Sequence, residues 1–150
     1  MKIILILILV FSLLQPSKND CITISLPTIE QGLKSSQINV IEAIAHIESS
    51  GDSTALNEKE NAVGYLQIRP CMLREANRLV GYEKYQLSDR ISKSKSIQLF
   101  CDIQRNYNPS WDLEVAARKW NGGYKGMQNP KTLKYYKLVK IRYNERFRTS

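Results

Sequence analysis

Apolar residues recur at three- and four-residue spacing along most of this chain, and such spacing predicts helices. In the first such segment, Ile38, Ile41 and Ile44 fall on one helical face. No segment alternates between apolar and polar residues over any length, so strands are not expected. The pattern therefore predicts an all-α chain with little or no strand, in five segments: 37–49, 72–80, 92–107, 112–120 and a last helix from Pro130.

The predicted helices are bounded by residues that favour caps and turns. Ser36 and Asp112 are candidate N-caps, and Asn129-Pro130 is the expected start of the last helix. Ser49-Ser50-Gly51 and Gly122-Gly123 are expected helix ends. The last helix is expected to turn five side chains inward: Leu133, Tyr136, Val139, Tyr143 and Phe147.

Two segments between the helices are expected to be irregular or short. Residues 51–63 are rich in Asn, Asp, Ser and Glu, which predicts a long polar loop. Residues 64–68 are expected to form a short ordered segment that ends at Pro70.

The N-terminal segment has the pattern of a secretory signal. Lys2 precedes an apolar run over 3–14, and Gln15-Pro16-Ser17 supplies a polar flank. The run would rise only about 18 Å as a helix, less than a hydrocarbon core of about 30 Å. Residues 1–17 are therefore predicted to be a signal peptide, and the protein to be exported to the periplasm, cell envelope or medium. No A-x-A cleavage sequence is present, so a retained membrane anchor is the alternative.

The length of 150 residues favours one folded domain. Pro27 and Gly32 break the segment 18–34, which is expected to be irregular. Residues 35–150 are then expected to form a compact helical domain, and the protein to be a monomer.

The chain carries 22 basic and 14 acidic residues, with a net charge of +8. Seven basic residues and one acidic residue lie between Lys131 and Ser150. An excess of this kind favours polyanionic partners, and export makes nucleic acid a less expected one than an anionic envelope polymer. A merely solvated helix face is the alternative for the terminal segment.

Histidine and cysteine limit the other chemistries. His46 is the only histidine, which excludes a three-His zinc site, and no phosphate-binding glycine motif is present. We expect the protein to use no metal or cofactor. Cys71 and Cys101 fall on predicted helices, where buried thiols are favoured over a disulfide. Cys21 has no assigned role.

Glu48 is the strongest candidate for a catalytic residue. It lies at the C-terminal end of an otherwise apolar helix, where the helix dipole and desolvation would both raise the pKa of its carboxyl group. A carboxyl group that stays protonated near neutral pH is what a glycosidic general acid requires. The alternative is an exposed Glu at the end of an amphipathic helix.

Four strings of the sequence occur in an order that resembles the soluble lytic transglycosylase family. They are Ile47-Glu48-Ser49-Ser50-Gly51 followed by Ala55-Leu56-Asn57; Ala62-Val63-Gly64-Tyr65-Leu66-Gln67-Ile68-Arg69-Pro70; Ala116-Ala117-Arg118-Lys119-Trp120-Asn121-Gly122-Gly123; and Thr132-Leu133-Lys134-Tyr135-Tyr136-Lys137-Leu138-Val139. The resemblance implies a goose-type lysozyme-like helical domain that cleaves peptidoglycan between N-acetylmuramic acid and N-acetylglucosamine.

The resemblance also implies roles for individual residues. Glu48 matches the catalytic acid/base of the family, and Ser49 matches the serine that supports it. Tyr135 matches a tyrosine that hydrogen-bonds near the catalytic glutamate. Gln67 and Asn121 match residues of the glycan groove. Tyr65 stands where leucine is commoner, as an apolar groove wall or a surface that stacks on a sugar.

The reaction type depends on whether a second carboxylate is available. Glycoside cleavage generally uses two carboxyl groups, and Asp52, Glu58 and Glu60 in the following loop are the candidates. With none of them, the substrate's own C6 hydroxyl would attack C1 and give a 1,6-anhydro product. The open alternatives are a lysozyme-type hydrolase, a catalytically silent glycan-binding or envelope-assembly module, and a basic protein that binds nucleic acid or membranes through residues 131–150.

Aromatic residues near these strings are the remaining candidates. Trp120 is expected to pack in the core, in helical phase with Leu113 and Ala117, whereas Tyr124 is left open between core and groove. His46 precedes Glu48 by two residues and is expected to face elsewhere, without a catalytic role.

Overall fold

The structure is a computed structural model that describes residues 32–147. Several predictions lie outside the described residues: the signal peptide over 1–17, most of the irregular segment 18–34, and Cys21. The same holds for the inward orientation of the Phe147 side chain.

Five helices and one short hairpin make up the fold of the described residues, and the predicted all-α class with little or no strand is confirmed. Two 3₁₀ turns, Leu87–Ile91 and Gly126–Gln128, connect helices. The elements are α1 (Ser35–Ser49), β1 (Leu56–Asn57), β2 (Ala62–Val63), α2 (Pro70–Val80), α3 (Lys93–Tyr107), α4 (Leu113–Gly122) and α5 (Thr132–Phe147).

Helix α1 lies at the centre of the core. Five of its side chains are buried: Val40, Ile41, Ala43, Ile44 and Ala45. Helices α4 and α5 pack against α1, while α2 packs against α3. Burial of each large aliphatic side chain stabilises the fold by about 1.5–3 kcal/mol. The terminal turn of α1, which carries Glu48, is therefore held in place by the packing of its own helix.

Several predicted helix ends agree with the structure. Asp112 caps α4 through its Oδ1, which accepts a hydrogen bond from Val115 N at 2.9 Å. Ser50 adopts the left-handed conformation at the end of α1, with φ of 56°. Gly123 follows the end of α4, also at positive φ. The Asp112 and Ser50 caps satisfy backbone groups that a helix terminus leaves without partners.

The starts of three helices differ from the predictions. Ser36 is not an N-cap, because α1 begins one residue earlier and Gln37 Oε1 accepts the hydrogen bond of Lys34 N at 2.9 Å. Pro70 begins α2, since proline at the first helical position needs no hydrogen-bond partner for its nitrogen. Asn129 instead forms a turn through Lys131 N, and α5 starts at Thr132.

Two predictions about side-chain position and loop structure are wrong. Leu133 remains 39% exposed, because the inner face of α5 is defined by the buried Thr132 and Val139. The segment 51–63 is not only a loop, since Leu56 pairs with Val63 and Asn57 with Ala62 in an antiparallel hairpin. Two-residue strands are too short to show alternation in the sequence.

Cys71 and Cys101 are both free thiols on helices, as favoured from the sequence. Only Cys101 is buried, however, and Cys71 is exposed on the first turn of α2. Among the described residues, no helix has the length and apolar character needed to cross a membrane.

Gly64, directly after strand β2, lies very close to backbone atoms of neighbouring segments. Its backbone N–H donates to Ala55 O at 2.8 Å, and its φ is +84°. A Cβ atom at this position would lie 1.9 Å from Arg90 O, which is a backbone atom. Both the conformation and the space therefore require glycine.

We expect Gly64→Ala to destabilise the fold by about 3 kcal/mol more than Gly81→Ala. Gly81 has nearly the same φ, +85°, but nothing lies within 4 Å of the position that a Cβ atom would take there. Its substitution therefore costs only the conformational strain of about 1 kcal/mol. Urea unfolding of both variants measures the difference. Equal losses would show that the contact with Arg90 O carries no cost.

Candidate active site

Glu48 lies in the last turn of α1, at the edge of a polar cavity. Its side chain is half-buried, between the hairpin, the segment before α2 and the end of α4. The cavity is small, about 90 Å³, and is lined by Glu48, Asn57, Glu60, Ala62, Gln67, Arg69, Met72, Trp120 and Asn121. The Glu48 carboxyl group thus lies at the boundary between the core and the solvent-accessible cavity.

Tyr135 of α5 holds the Glu48 carboxyl group from the core side. Its hydroxyl donates a hydrogen bond to Glu48 Oε1 at 2.5 Å. Burial of the phenol and the adjacent carboxylate both raise the pKa of Tyr135 well above its ordinary value, so the hydroxyl remains a donor. The contact fixes one carboxyl oxygen and leaves the other for a ligand.

Desolvation raises the pKa of Glu48 from 4.5 to about 7. Three weaker influences act on the same group: the Tyr135 hydrogen bond and the Arg69 charge lower the pKa, and the Glu60 charge raises it. Burial therefore prevails, because removal of water penalises the ionised form more than these neighbours stabilise it. Near neutral pH the carboxyl group can both donate and accept a proton.

Two hydrogen bonds anchor the turn that follows the hairpin to the helices around it. Ser49 Oγ donates to Tyr65 O at 2.8 Å, and Trp120 Nε1 donates to Leu66 O at 3.2 Å. Ser49 does not line the cavity, and its hydroxyl instead ties the end of α1 to the segment that follows β2. Trp120 is 3% exposed and packs 4.9 Å from the Phe100 ring, so its predicted core position is confirmed.

Gln67 enters the cavity from a left-handed backbone position, with φ of 48°. Its Nε2 donates to Ala55 O at 3.0 Å and to Gly64 O at 3.1 Å. Both amide protons are thereby used within the wall, and Oε1 is the atom left to accept a hydrogen bond from a ligand hydroxyl. A non-glycine residue in this conformation costs about 1–3 kcal/mol, which is typical of a functional site.

Asn121, Arg69 and Glu60 are charged and polar residues that line the cavity together with Glu48. Arg69 Nη2 donates to Asn121 O at 3.4 Å, and Arg69 Nη1 lies 3.9 Å from Glu60 Oε2. Glu60 belongs to the hairpin turn and Asn121 to the end of α4. Arg69 therefore bridges the two sides of the cavity.

A second, more apolar cavity of about 220 Å³ adjoins the first. The two share Arg69, Met72 and Trp120, and the second continues to Tyr107 and Tyr124. Tyr124 is 64% exposed, which places it at the open surface of the groove and not in the core. Aromatic rings beside polar groups offer the mixed surface that a saccharide can contact.

Some predicted site residues lie elsewhere. Tyr65 is 6% exposed within the core, with its ring 5.0 Å from Lys93 Nζ, and it does not line the Glu48 cavity. Asp52 Oδ1 accepts a hydrogen bond from Thr54 N at 2.7 Å. Asp52 and Glu58 both lie outside the cavity. His46 also lies outside it. Of the three candidate second carboxylates, only Glu60 lines the cavity with Glu48.

Arg69 and Met72 line the cavity although neither was predicted from the sequence to do so. Arg69 stands within one of the quoted strings, at a position where the family pattern specifies no residue type. An arginine two residues after a predicted groove glutamine was the available signal. Among the described residues, no cluster of His, Cys, Asp and Glu has the composition of a metal site.

No protein-family model matches this sequence, and no curated protein matches it either.

We expect wild-type stability to fall as the pH rises through about 7, the pKa of folded Glu48. A carboxyl group whose pKa is raised by folding contributes stability that is present below its unfolded pKa and is lost as the pH rises to its folded pKa. Glu48→Gln removes this loss, so the variant should be more stable than wild type at pH 8 by about 2 kcal/mol.

Unfolding midpoints at pH 4 and pH 8 measure the effect. The matched control is Glu58→Gln, which makes the same change on an exposed turn. If Glu48→Gln follows the wild-type pH dependence, then the pKa of Glu48 is not raised by burial.

Proposed function

We propose that this protein is an exported peptidoglycan lytic transglycosylase, a glycan-cleaving lyase that acts on the β-1,4 bond between N-acetylmuramic acid and N-acetylglucosamine. The carrying observation is Glu48, a half-buried carboxyl group with a pKa of about 7 that faces a cavity and is held by Tyr135. The ordered motif resemblance supplies the substrate class. No metal or cofactor is needed for the reaction.

In the first step, Glu48 donates its proton to the glycosidic oxygen. The carboxyl group is suited to this because its pKa lies near the working pH. The bond from C1 to the leaving oxygen breaks, and the 2-acetamido group of the muramoyl unit stabilises the charge that develops at C1. Glu48 is left as a carboxylate, which the Tyr135 hydrogen bond and the Arg69 charge stabilise.

In the second step, the Glu48 carboxylate removes the proton from the C6 hydroxyl of the muramoyl unit. The oxygen attacks C1 and closes the 1,6-anhydro ring, which restores protonated Glu48. Attack within one sugar has a high effective molarity, so the site does not have to hold a water molecule. One carboxyl group is sufficient for the full cycle.

The adjoining cavities support an extended saccharide as the ligand. Gln67 Oε1 and Asn121 supply polar contacts beside Glu48, and Tyr107 and Tyr124 supply flat surfaces further along. Helix α5 turns three lysines to solvent: Lys134, Lys137 and Lys140. We propose that this basic face helps to hold anionic envelope polymers in the exported protein.

A lysozyme-type hydrolase is the second candidate, because Glu60 lines the same cavity as Glu48. In that reaction a second carboxylate activates a water molecule that attacks C1. The Glu60 side chain is 57% exposed, so water can reach it. The two candidates differ in the product and in the need for Glu60.

We expect wild-type protein to release 1,6-anhydro-muramoyl products from purified sacculi. Glu48→Gln should lower the rate at least about 1000-fold, since the general acid is removed. Glu60→Gln should lower it less than about tenfold and leave the product unchanged, because the transglycosylase reaction needs no second carboxylate. Mass spectrometry separates the products, because an anhydro end is lighter than a reducing end by one water. Glu58→Gln is the matched control.

Predominantly reducing ends that depend on Glu60 would establish the hydrolase and contradict the transglycosylase. Wild-type protein that binds sacculi without any release of products, and to the same extent as Glu48→Gln, would indicate a catalytically silent glycan-binding module.

We expect kcat/KM to fall as the pH rises through about 7, because Glu48 must be protonated to act as the acid. Tyr135→Phe removes a hydrogen bond that favours the ionised form, so this limb should move to higher pH. Tyr136→Phe, on the next residue of α5, is the control and should leave the limb in place. An unshifted limb in Tyr135→Phe would show that another group controls it.

A further inference from the structure

Arg69 occupies the junction of the two cavities. It contributes to the lining of both, and it directly precedes the first residue of α2. Its side chain is 34% exposed, so the guanidinium is accessible from the groove. A ligand that extends from Glu48 toward Tyr124 has to pass it.

Within the part of the chain that the structure describes, the Arg69 guanidinium makes two contacts, and both are long. They are the 3.4 Å hydrogen bond to Asn121 O and the 3.9 Å approach to Glu60 Oε2. By contrast, Arg118 and Arg105 each contact a carboxylate at 2.7 Å. A charged hydrogen bond is normally of this shorter length. Among the described residues, Arg69 therefore has one long ion pair, with Glu60, and no charged hydrogen bond of the shorter length.

Glu60 cannot satisfy Arg69 fully, because its carboxylate is 57% exposed and remains beyond hydrogen-bond distance. A planar guanidinium binds a carboxylate through two parallel N–H groups, and several of its donors stay available here. The site is thus complementary to one more anionic group, next to the saccharide path.

We propose that Arg69 is a specificity-determining residue that binds a carboxylate carried by the muramoyl unit of the substrate. This inference rests on the proposed function for the identity of the ligand. Through this contact Arg69 favours binding of acidic glycans over neutral N-acetylglucosamine polymers. The neutral polymers have the same β-1,4 backbone and acetamido groups but no carboxylate.

The carboxylate has two sources in peptidoglycan. A muramoyl unit without a stem peptide ends its lactyl ether in a free carboxylate. A unit with a stem peptide has that group in an amide bond, and the carboxylates then belong to the peptide. Both present the same chemistry to a guanidinium, and separate ligands distinguish them.

Binding is measured by calorimetry in the Glu48→Gln background, where turnover is blocked. The three ligands are peptide-bearing glycan oligomers, oligomers freed of peptide, and neutral N-acetylglucosamine oligomers of the same length. Arg69→Gln should weaken binding of at least one acidic ligand about tenfold, and binding of the neutral ligand less than about twofold. The acidic ligand that loses affinity identifies the carboxylate.

Arg74→Gln is the matched control, because it removes the same charge from the exposed side of α2, away from both cavities. It should leave all three affinities unchanged. Arg69→Lys keeps the charge without the planar fork and should recover only part of the acidic preference.

Equal losses for acidic and neutral ligands would overturn the inference, since Arg69 would then only shape the groove. Unchanged affinities, or no saccharide binding by the Glu48→Gln protein, would also overturn it. Digestion of sacculi by wild-type protein tests the proposed function separately. Wild-type cleavage with unaltered selectivity in Arg69→Gln rejects the inference alone, and Arg69-dependent binding without any cleavage rejects the proposed function alone.

Discussion

The hydrogen bond from Tyr135 to Glu48 joins the first and last described helices of the domain at the point where the core meets solvent. It requires α5 to pack along α1, and the buried Val139 and Ile44 show that the two helices share one core. The same packing removes water from the Glu48 carboxyl group. Core formation and the raised pKa of the Glu48 carboxyl group are thus consequences of one arrangement of helices.

Opposing electrostatic influences set the protonation of Glu48. Burial alone would favour the neutral form, while Tyr135 and Arg69 stabilise the ionised form and Glu60 disfavours it. A pKa near neutrality suits a group that has to donate a proton and then recover one. Because Arg69 also lines both cavities, a residue that affects the pKa of Glu48 is also accessible to a ligand in either cavity.

Helices could be predicted from the sequence because apolar spacing and caps act over a few neighbouring residues. Asp112 and Gly123 are local signals that hold in the structure. The hairpin could not be predicted, because its two residue pairs leave no periodic pattern. Helix α5 begins two residues after its predicted start at Pro130. The reason is that the Thr132 side chain is held by hydrogen bonds to Arg118 and Gly126, which local sequence does not show.

The sequence by itself determined the helical class and the position of Glu48 at the end of an apolar helix. Only the tertiary structure decided which groups meet Glu48. It brought Glu60, Arg69 and Tyr135 to that carboxyl group from three separate segments, and it kept Asp52, Glu58 and the Tyr65 side chain away from the cavity. The physical reason is that electrostatic influence depends on distance and on exclusion of water, and neither quantity is encoded by spacing along the chain.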